Sequence, residues 1–191
     1  MNHASRSLGS LTRATFALSF LAAVFVVPSA AMADGDPDVS VGKDGTIDGT
    51  VVVGAPPDVV QSYLADVRSL RTHSKDVVSV DIVRDGECQL VTTLAKSLVE
   101  LTYVARRCPT ATGYVETLLD SEMMNDYYAE WFVTPVSSGI EIRFRMRTDL
   151  NLPVPGRIIR STIKSNVTRS LELMQKYLGG PHAPPSQVAA D

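Results

Sequence analysis

Apolar residues recur along this chain with two different periods. Ile140, Ile142, Phe144 and Met146 alternate with Glu141, Arg143, Arg145 and Arg147, the signature of a strand with one face buried and one in water. The same period of two carries Val78, Val80 and Ile82 against Ser79 and Asp81, ending at the turn pair Asp85-Gly86. Strands are also expected over Ile47 to Val53, Cys88 to Leu94, Leu101 to Cys108, Thr112 to Leu119 and Asn125 to Val133, with turns at Lys96 to Val99 and Pro135 to Gly139. Elsewhere the period is helical. Val59, Val60, Tyr63, Leu64 and Val67 follow Pro57, which suits a first helical turn, and run to about Leu70, where a break near Val67 would give two short helices. The last element is long: between Gly156 and Leu178 a stripe of Ile159, Ile163, Val167, Leu171, Met174 and Leu178 repeats every three or four residues, until Gly179-Gly180-Pro181 stops it.

Seven antiparallel strands, one or two short helices after the first of them, and a long C-terminal helix make an α+β chain rather than an alternating βαβ one. The long helix must bury its stripe on one face of the sheet. A strongly curved sheet gripping one helix leaves room for a cavity between them.

The ends read differently. Residues 1–33 have the layout of a signal peptide: Arg6 and Arg13 are its only charges, an apolar run from Ala14 to Val27 follows, and Ala31-Met32-Ala33 fits a small-residue cleavage site. An uncleaved anchor is the alternative, although the run is short for a bilayer. Residues 34–45 form an acidic, polar lead-in expected to be flexible, 46–178 the domain, and 179–191 a disordered tail. The leader implies a secreted or periplasmic protein. Composition is that of a globular domain, 45% hydrophobic and 20% charged, with a formal net charge of −3. Losing the leader removes two basic and no acidic residues, so the domain itself is acidic. It lacks the electrostatic footprint of a nucleic-acid partner and any basic cluster for an anionic membrane.

Few residues offer chemistry. The histidines are His3, His73 and His182, with no metal-ligand spacing among them, so no metal or other cofactor is expected. No G-x-S-x-G occurs, and neither cysteine has a histidine placed to activate it. Cys88 and Cys108 are the only cysteines. If their two strands fold about the turn at Lys96 to Val99, Cys88 lies opposite residue 107 or 108, so a cross-strand disulfide is geometrically open. An oxidising compartment favours it, and two reduced buried thiols are the alternative. Arg143, Arg145 and Arg147 point away from the cavity face, where Glu130 folds back toward Arg143 or Arg145 for cross-strand charge pairing.

The passages Val51-Val52-Val53-Gly54-Ala55-Pro56-Pro57-Asp58-Val59-Val60, Tyr63-Leu64-Ala65-Asp66, Glu130-Trp131-Phe132-Val133-Thr134-Pro135 and Val154-Pro155-Gly156-Arg157-Ile158-Ile159 resemble the START-like, or SRPBCC, superfamily. Within it they look most like the bacterial polyketide-cyclase and coenzyme-Q-binding branch. The resemblance spans Thr46 to Leu178. It implies a helix-grip fold, with a cavity that binds lipids, quinones, sterols or polyketide-like compounds. Inward parity nominates Tyr127, Trp131 and Val133, then Phe144 and Met146, and from the helix Ile159, Ile163, Val167 and Leu171. Tyr103 and Tyr114 are candidate polar handles for a ligand.

Three functions remain open. The first is an exported carrier of a hydrophobic small molecule, with a cavity of several hundred cubic ångströms and a transient membrane contact for loading; the apolar loop Leu150 to Pro155 would sit near its mouth. The second is a cyclase or hydratase using Glu100, Glu116 or Tyr103 as acid or base. The third is a partner-binding module with a vestigial cavity.

Overall fold

Every segment of period two becomes a strand of one antiparallel sheet. The structure, a computed structural model, describes residues 35–69 and 74–179. Its elements are β1 (Asp38–Val41), β2 (Ile47–Val53), α1 (Pro57–Ala65), β3 (Val77–Asp85), β4 (Cys88–Lys96), β5 (Glu100–Thr110), β6 (Gly113–Ser121), β7 (Met124–Val136), β8 (Gly139–Leu150) and α2 (Gly156–Leu178). The leader, Leu70 to His73 and the tail beyond Gly179 lie outside the described residues, and so does the end, at Leu70, of the second short helix expected after Val67. The strand count is eight rather than seven: β1 forms inside the segment expected to be a loose lead-in, pairing Asp38 to Val41 with Thr50 to Ile47. Val39 explains it, since this side chain is buried in the core and gives the short strand an apolar anchor.

The strands lie in the order β1-β2-β8-β7-β6-β5-β4-β3, so β3 to β8 form successive hairpins and β2 reaches across the chain to β8. The sheet curves around α2, which runs along β2 and β1. Val167, Leu171, Met174 and Leu178 of the stripe are buried, while Ile159 and Ile163 are only half-buried. Gly49 of β2 makes the close seating possible. A Cβ there would stand 2.7 Å from Leu171 Cδ1 and 3.2 Å from Val167 Cγ1, so a side chain would push the helix off the sheet.

α1 starts with Pro57, pre-set in φ, and Asp58, favoured by the helix dipole. It buries Val60, Tyr63 and Leu64 beneath it. The chain ends of the domain are drawn together at α2: Gln175 Nε2 donates to the Gly35 and Val52 carbonyls, and the Gly54 amide donates to the Gly179 carbonyl at 3.0 Å.

On the outer face Arg143 and Arg145 both reach Asp48, at 3.1 and 2.9 Å, and Arg147 reaches Asp126 at 2.8 Å. Glu130 does stand opposite Arg145, but it accepts a hydrogen bond from the Tyr128 hydroxyl at 2.6 Å instead. The charge ladder is therefore real with a different acid, and its exposure makes it worth little to stability. Cys88 and Cys108 are joined as a disulfide between β4 and β5, with Cα atoms 4.3 Å apart.

Candidate functional site

Alternation along β5 decides what faces α2. Tyr103, Ala105 and Arg107 point inward; Arg106, between them, points out and pairs with Asp85 at 2.9 Å. Arg107 is only 3% exposed, which obliges it to find charge and acceptors inside the protein. It finds three partners. Glu116, directly opposite on β6 and 8% exposed, accepts from Arg107 Nη1. The Leu64 carbonyl near the end of α1 accepts from Nη2 at 2.7 Å, and the guanidinium lies 4.3 Å over the Tyr114 ring. The second Glu116 oxygen accepts from the Tyr127 hydroxyl at 2.7 Å. Tyr127 in turn packs on Tyr103, with ring centroids 5.4 Å apart, and Tyr103 pairs across β4 with buried Thr93.

Burial, and then the Glu116 charge, push the Tyr103 phenol up to about 12. The same two causes hold Tyr127 well above the ordinary range. Both are therefore permanent hydrogen-bond donors at neutral pH rather than bases.

Beside this network lies a small, partly open space of about 10 Å³, the volume of roughly one water. On one side it is bounded by Tyr63, Leu64, Asp66, Val67 and Ser69, from α1 and the turn after it. Arg107, Trp131 and Met174 form the other side. Two donors here have no hydrogen-bond partner among the described residues: Arg107 Nε and Trp131 Nε1. Trp131 is 7% exposed, its ring stacked on Phe144 at 4.3 Å. Outside the space, an open groove of about 510 Å³ runs between α1 and the end of α2, with Tyr63 and Tyr177 in ring contact at 5.4 Å.

Of the residues nominated from sequence, Tyr127, Trp131, Phe144, Val167 and Leu171 are in the central core. Tyr103, Tyr114, Val133, Met146 and Ile163 pack against it, and Ile159 stands half-buried outside it. Only Trp131 borders the small space. Leu152 and Val154, expected at the cavity mouth, are half-buried in the loop after β8 and do not line it. Between sheet and α2, where a space of several hundred cubic ångströms is expected, Val167, Leu171 and Met174 pack in one core with Val51, Ile142 and Phe144. Of the acid–base candidates, Glu116 and Tyr103 are inside, whereas Glu100 is outside and pairs loosely with Lys96 at 3.9 Å. Arg107 was missed, although a signal for it existed: two steps of two from inward Tyr103, through Ala105, arrive at Arg107. Among the described residues no group of three or more His, Cys, Asp or Glu is placed to hold a metal, and no helix is long and apolar enough to cross a membrane.

Known proteins fit this geometry. Solved structures share the fold at low identity. A START superfamily protein from Mycobacterium smegmatis matches with a TM-score of 0.62 and 11% identity, covering 70% of this chain and 96% of its own. A STAR-related lipid transfer protein from Xanthomonas axonopodis matches with 0.61 and 14%, covering 74% and 92%. An aromatase/cyclase from Streptomyces matches with 0.54 and 18%, covering 70% and 90%. No curated protein matches the chain. The sequence pattern described as "polyketide cyclase / dehydrase and lipid transport" matches residues 44–179, from the β1–β2 turn to the end of α2. That span takes in the whole sheet from β2 onward, α1 and the gripped helix, so the chain belongs to the polyketide cyclase / dehydrase and lipid transport family of the START-like superfamily.

Proposed function

We propose that this protein is an exported carrier for a hydrophobic small molecule that ends in a hydrogen-bond acceptor. One observation carries the reading. Arg107 and Trp131 line the same space, both are more than nine-tenths buried, and Arg107 Nε and Trp131 Nε1 have no hydrogen-bond partner among the described residues. Leaving a buried donor unmade costs about 1–3 kcal/mol, so two together mark a place where an acceptor belongs. A carbonyl or carboxylate satisfies both, and the tail of a lipid, quinone, sterol or polyketide-like compound would lie among Met174, Trp131 and the α1 side chains. The fold is compatible with such ligands, and similar structures include a protein named for lipid transfer. Export is supported by the leader-type pattern of residues 1–33 and suits the Cys88–Cys108 disulfide. Loading from a bilayer by transient contact is compatible with this role.

Native mass spectrometry of the protein purified from an oxidising compartment, followed by solvent extraction, tests both parts. A chain beginning at Asp34 with an extractable apolar acid, ester or ketone is expected. A bare chain, after growth in cells and after incubation with lipid extract, would remove the carrier function.

A second reading, catalysis of a cyclase or dehydratase type, is favoured by the buried Glu116–Tyr127–Tyr103 chain. The Tyr127 hydroxyl is committed to Glu116, which leaves the Tyr103 phenol as the group that would donate a proton or hydrogen bond to a bound carbonyl. Tyr103→Phe would then abolish turnover of a polyketide-like ketone while leaving ligand retention intact.

A further inference from the structure

Arg107 and Trp131 line about 10 Å³, whereas sites for small organic ligands need several hundred. A ligand of that size fits there only if one wall moves. The sheet is held by antiparallel ladders on both sides of β5, β6 and β7, and α2 is seated on β2 over Gly49 with four of its residues buried. The remaining wall is α1 and the turn that follows it, which supply five of the eight residues around the space.

α1 is a short element. It has nine residues, no side-chain cap at its N-terminus and no basic residue in its last turn. Its C-terminal end carries a charge-assisted bond from Arg107 Nη2 to the Leu64 carbonyl at 2.7 Å, beside neutral bonds from the Asp66 amide to the Ser62 carbonyl and from the Ser69 hydroxyl to the Tyr63 carbonyl, and the ring contact of Tyr63 with Tyr177. The Leu64 carbonyl is among the last four of the helix, which intrahelical bonds do not reach. The guanidinium that pins the helix belongs to a residue that also lines the space and has a second nitrogen, Nε, without a partner among the described residues.

We propose that α1 is a lid latched by Arg107, and that a ligand opens it by exchanging its own acceptor for the Leu64 carbonyl on Nη2. The inference rests on the carrier reading above and adds its selectivity. One charge-assisted bond replaces another, so the exchange itself is close to balanced. Lifting Val60, Tyr63 and Leu64 out of the core is offset by the ligand's apolar tail, which takes their place. Glu116 holds the guanidinium fixed throughout. A ligand with a tail and no acceptor cannot release the latch, and a small acid with no tail cannot replace the lid. The site therefore selects amphiphiles bearing a carboxylate, carbonyl or comparable acceptor.

Hydrogen–deuterium exchange on the full chain tests this, with cis-parinarate as a fluorescent fatty acid and pyrene as an apolar probe lacking an acceptor. Saturating parinarate is expected to speed exchange of the amides of residues 61–65 about tenfold while β7 and β8 stay protected. Pyrene is expected to change nothing. Arg107→Lys keeps a cation for Glu116 but cannot hold the carbonyl as well, so its α1 exchanges fast without any probe. Parinarate bound with α1 unchanged or slowed, or an Arg107→Lys protein with wild-type protection in α1, would overturn the lid and leave the carrier standing. Failure of parinarate to fluoresce with the protein would overturn acceptor-driven opening. The carrier reading falls separately, on the bare chain in the mass spectrum.

Discussion

Removing both members of the Arg107–Glu116 pair should cost much less than the sum of removing each alone. In Arg107→Met the Glu116 carboxylate stays 8% exposed with only the Tyr127 hydroxyl to answer it, and the Leu64 carbonyl is orphaned as well. Breaking a buried pair in this way costs about 3–5 kcal/mol, and Glu116→Leu, which strands the guanidinium, should cost a similar amount. That is a large part of the roughly 5–15 kcal/mol that holds a domain together. In the double variant Arg107→Met/Glu116→Leu no charge is buried. What remains is an unpaired Tyr127 hydroxyl and Leu64 carbonyl, each worth about 1–3 kcal/mol, so about 2–6 kcal/mol in all against about 6–10 kcal/mol for the two singles summed. The measurement is urea unfolding of the four proteins with the disulfide intact, comparing midpoints at unchanged slope. A double variant that loses as much as the two singles combined would refute the reasoning, as would singles that cost under about 1 kcal/mol. The stable double variant then isolates function, because it should fold and yet retain no extracted ligand.

Three further outcomes are expected. Replacing Cys88 and Cys108 by Ser frees a cross-link between residues 20 apart and should cost about 3 kcal/mol in thermal or urea unfolding. Gly49→Val places a branched side chain against Leu171 and Val167 and should cost about 1–3 kcal/mol, with near-ultraviolet dichroism showing whether α2 has shifted. Tyr63, Tyr103 and Tyr127 should resist ionisation: burial lifts the first two from 10 to about 12 and holds Tyr127 well above its ordinary range. Phenols unfolded at 10 and folded at about 12 leave stability complete below pH 10 and drain it as the pH climbs through 12. A phenolate absorbance titration should show a late class of phenols that ionises only with unfolding; complete titration below pH 11 (about one unit above the free phenol) would contradict the burial.

Strands and the gripped helix were legible in the sequence because period two and period 3.6 are direct consequences of one buried face. α2 was read with its observed ends, since Pro155 and Gly179 bound an unbroken run. β1 was illegible: four residues with a single buried valine carry too little pattern, and the strand exists only because β2 offers an edge. The site divides along the same line. Inward parity found the aromatic core around Trp131 and Tyr127, which is a local property. It did not find Arg107, because a buried arginine breaks the apolar rule and is tolerated only through partners on β6 and α1, 9 and 43 residues away. The size of the space under α1 is a property of packing that no pattern in the sequence encodes.

The clamp at Gln175 bears on when this domain can fold. Its acceptor at Gly35 lies 140 residues earlier in the chain, and β2 must wait for β8 before it has its inner neighbour. A nascent chain emerging N-terminus first therefore holds its first two strands unpaired on their inner side until nearly the whole sequence has been made. Such long-range closure is slow compared with hairpin or helix formation. Slowness would be a handicap for a protein folding beside the ribosome. For a chain threaded through a membrane pore in extended form it is an advantage, since a late-closing sheet stays passable until the last helix has crossed.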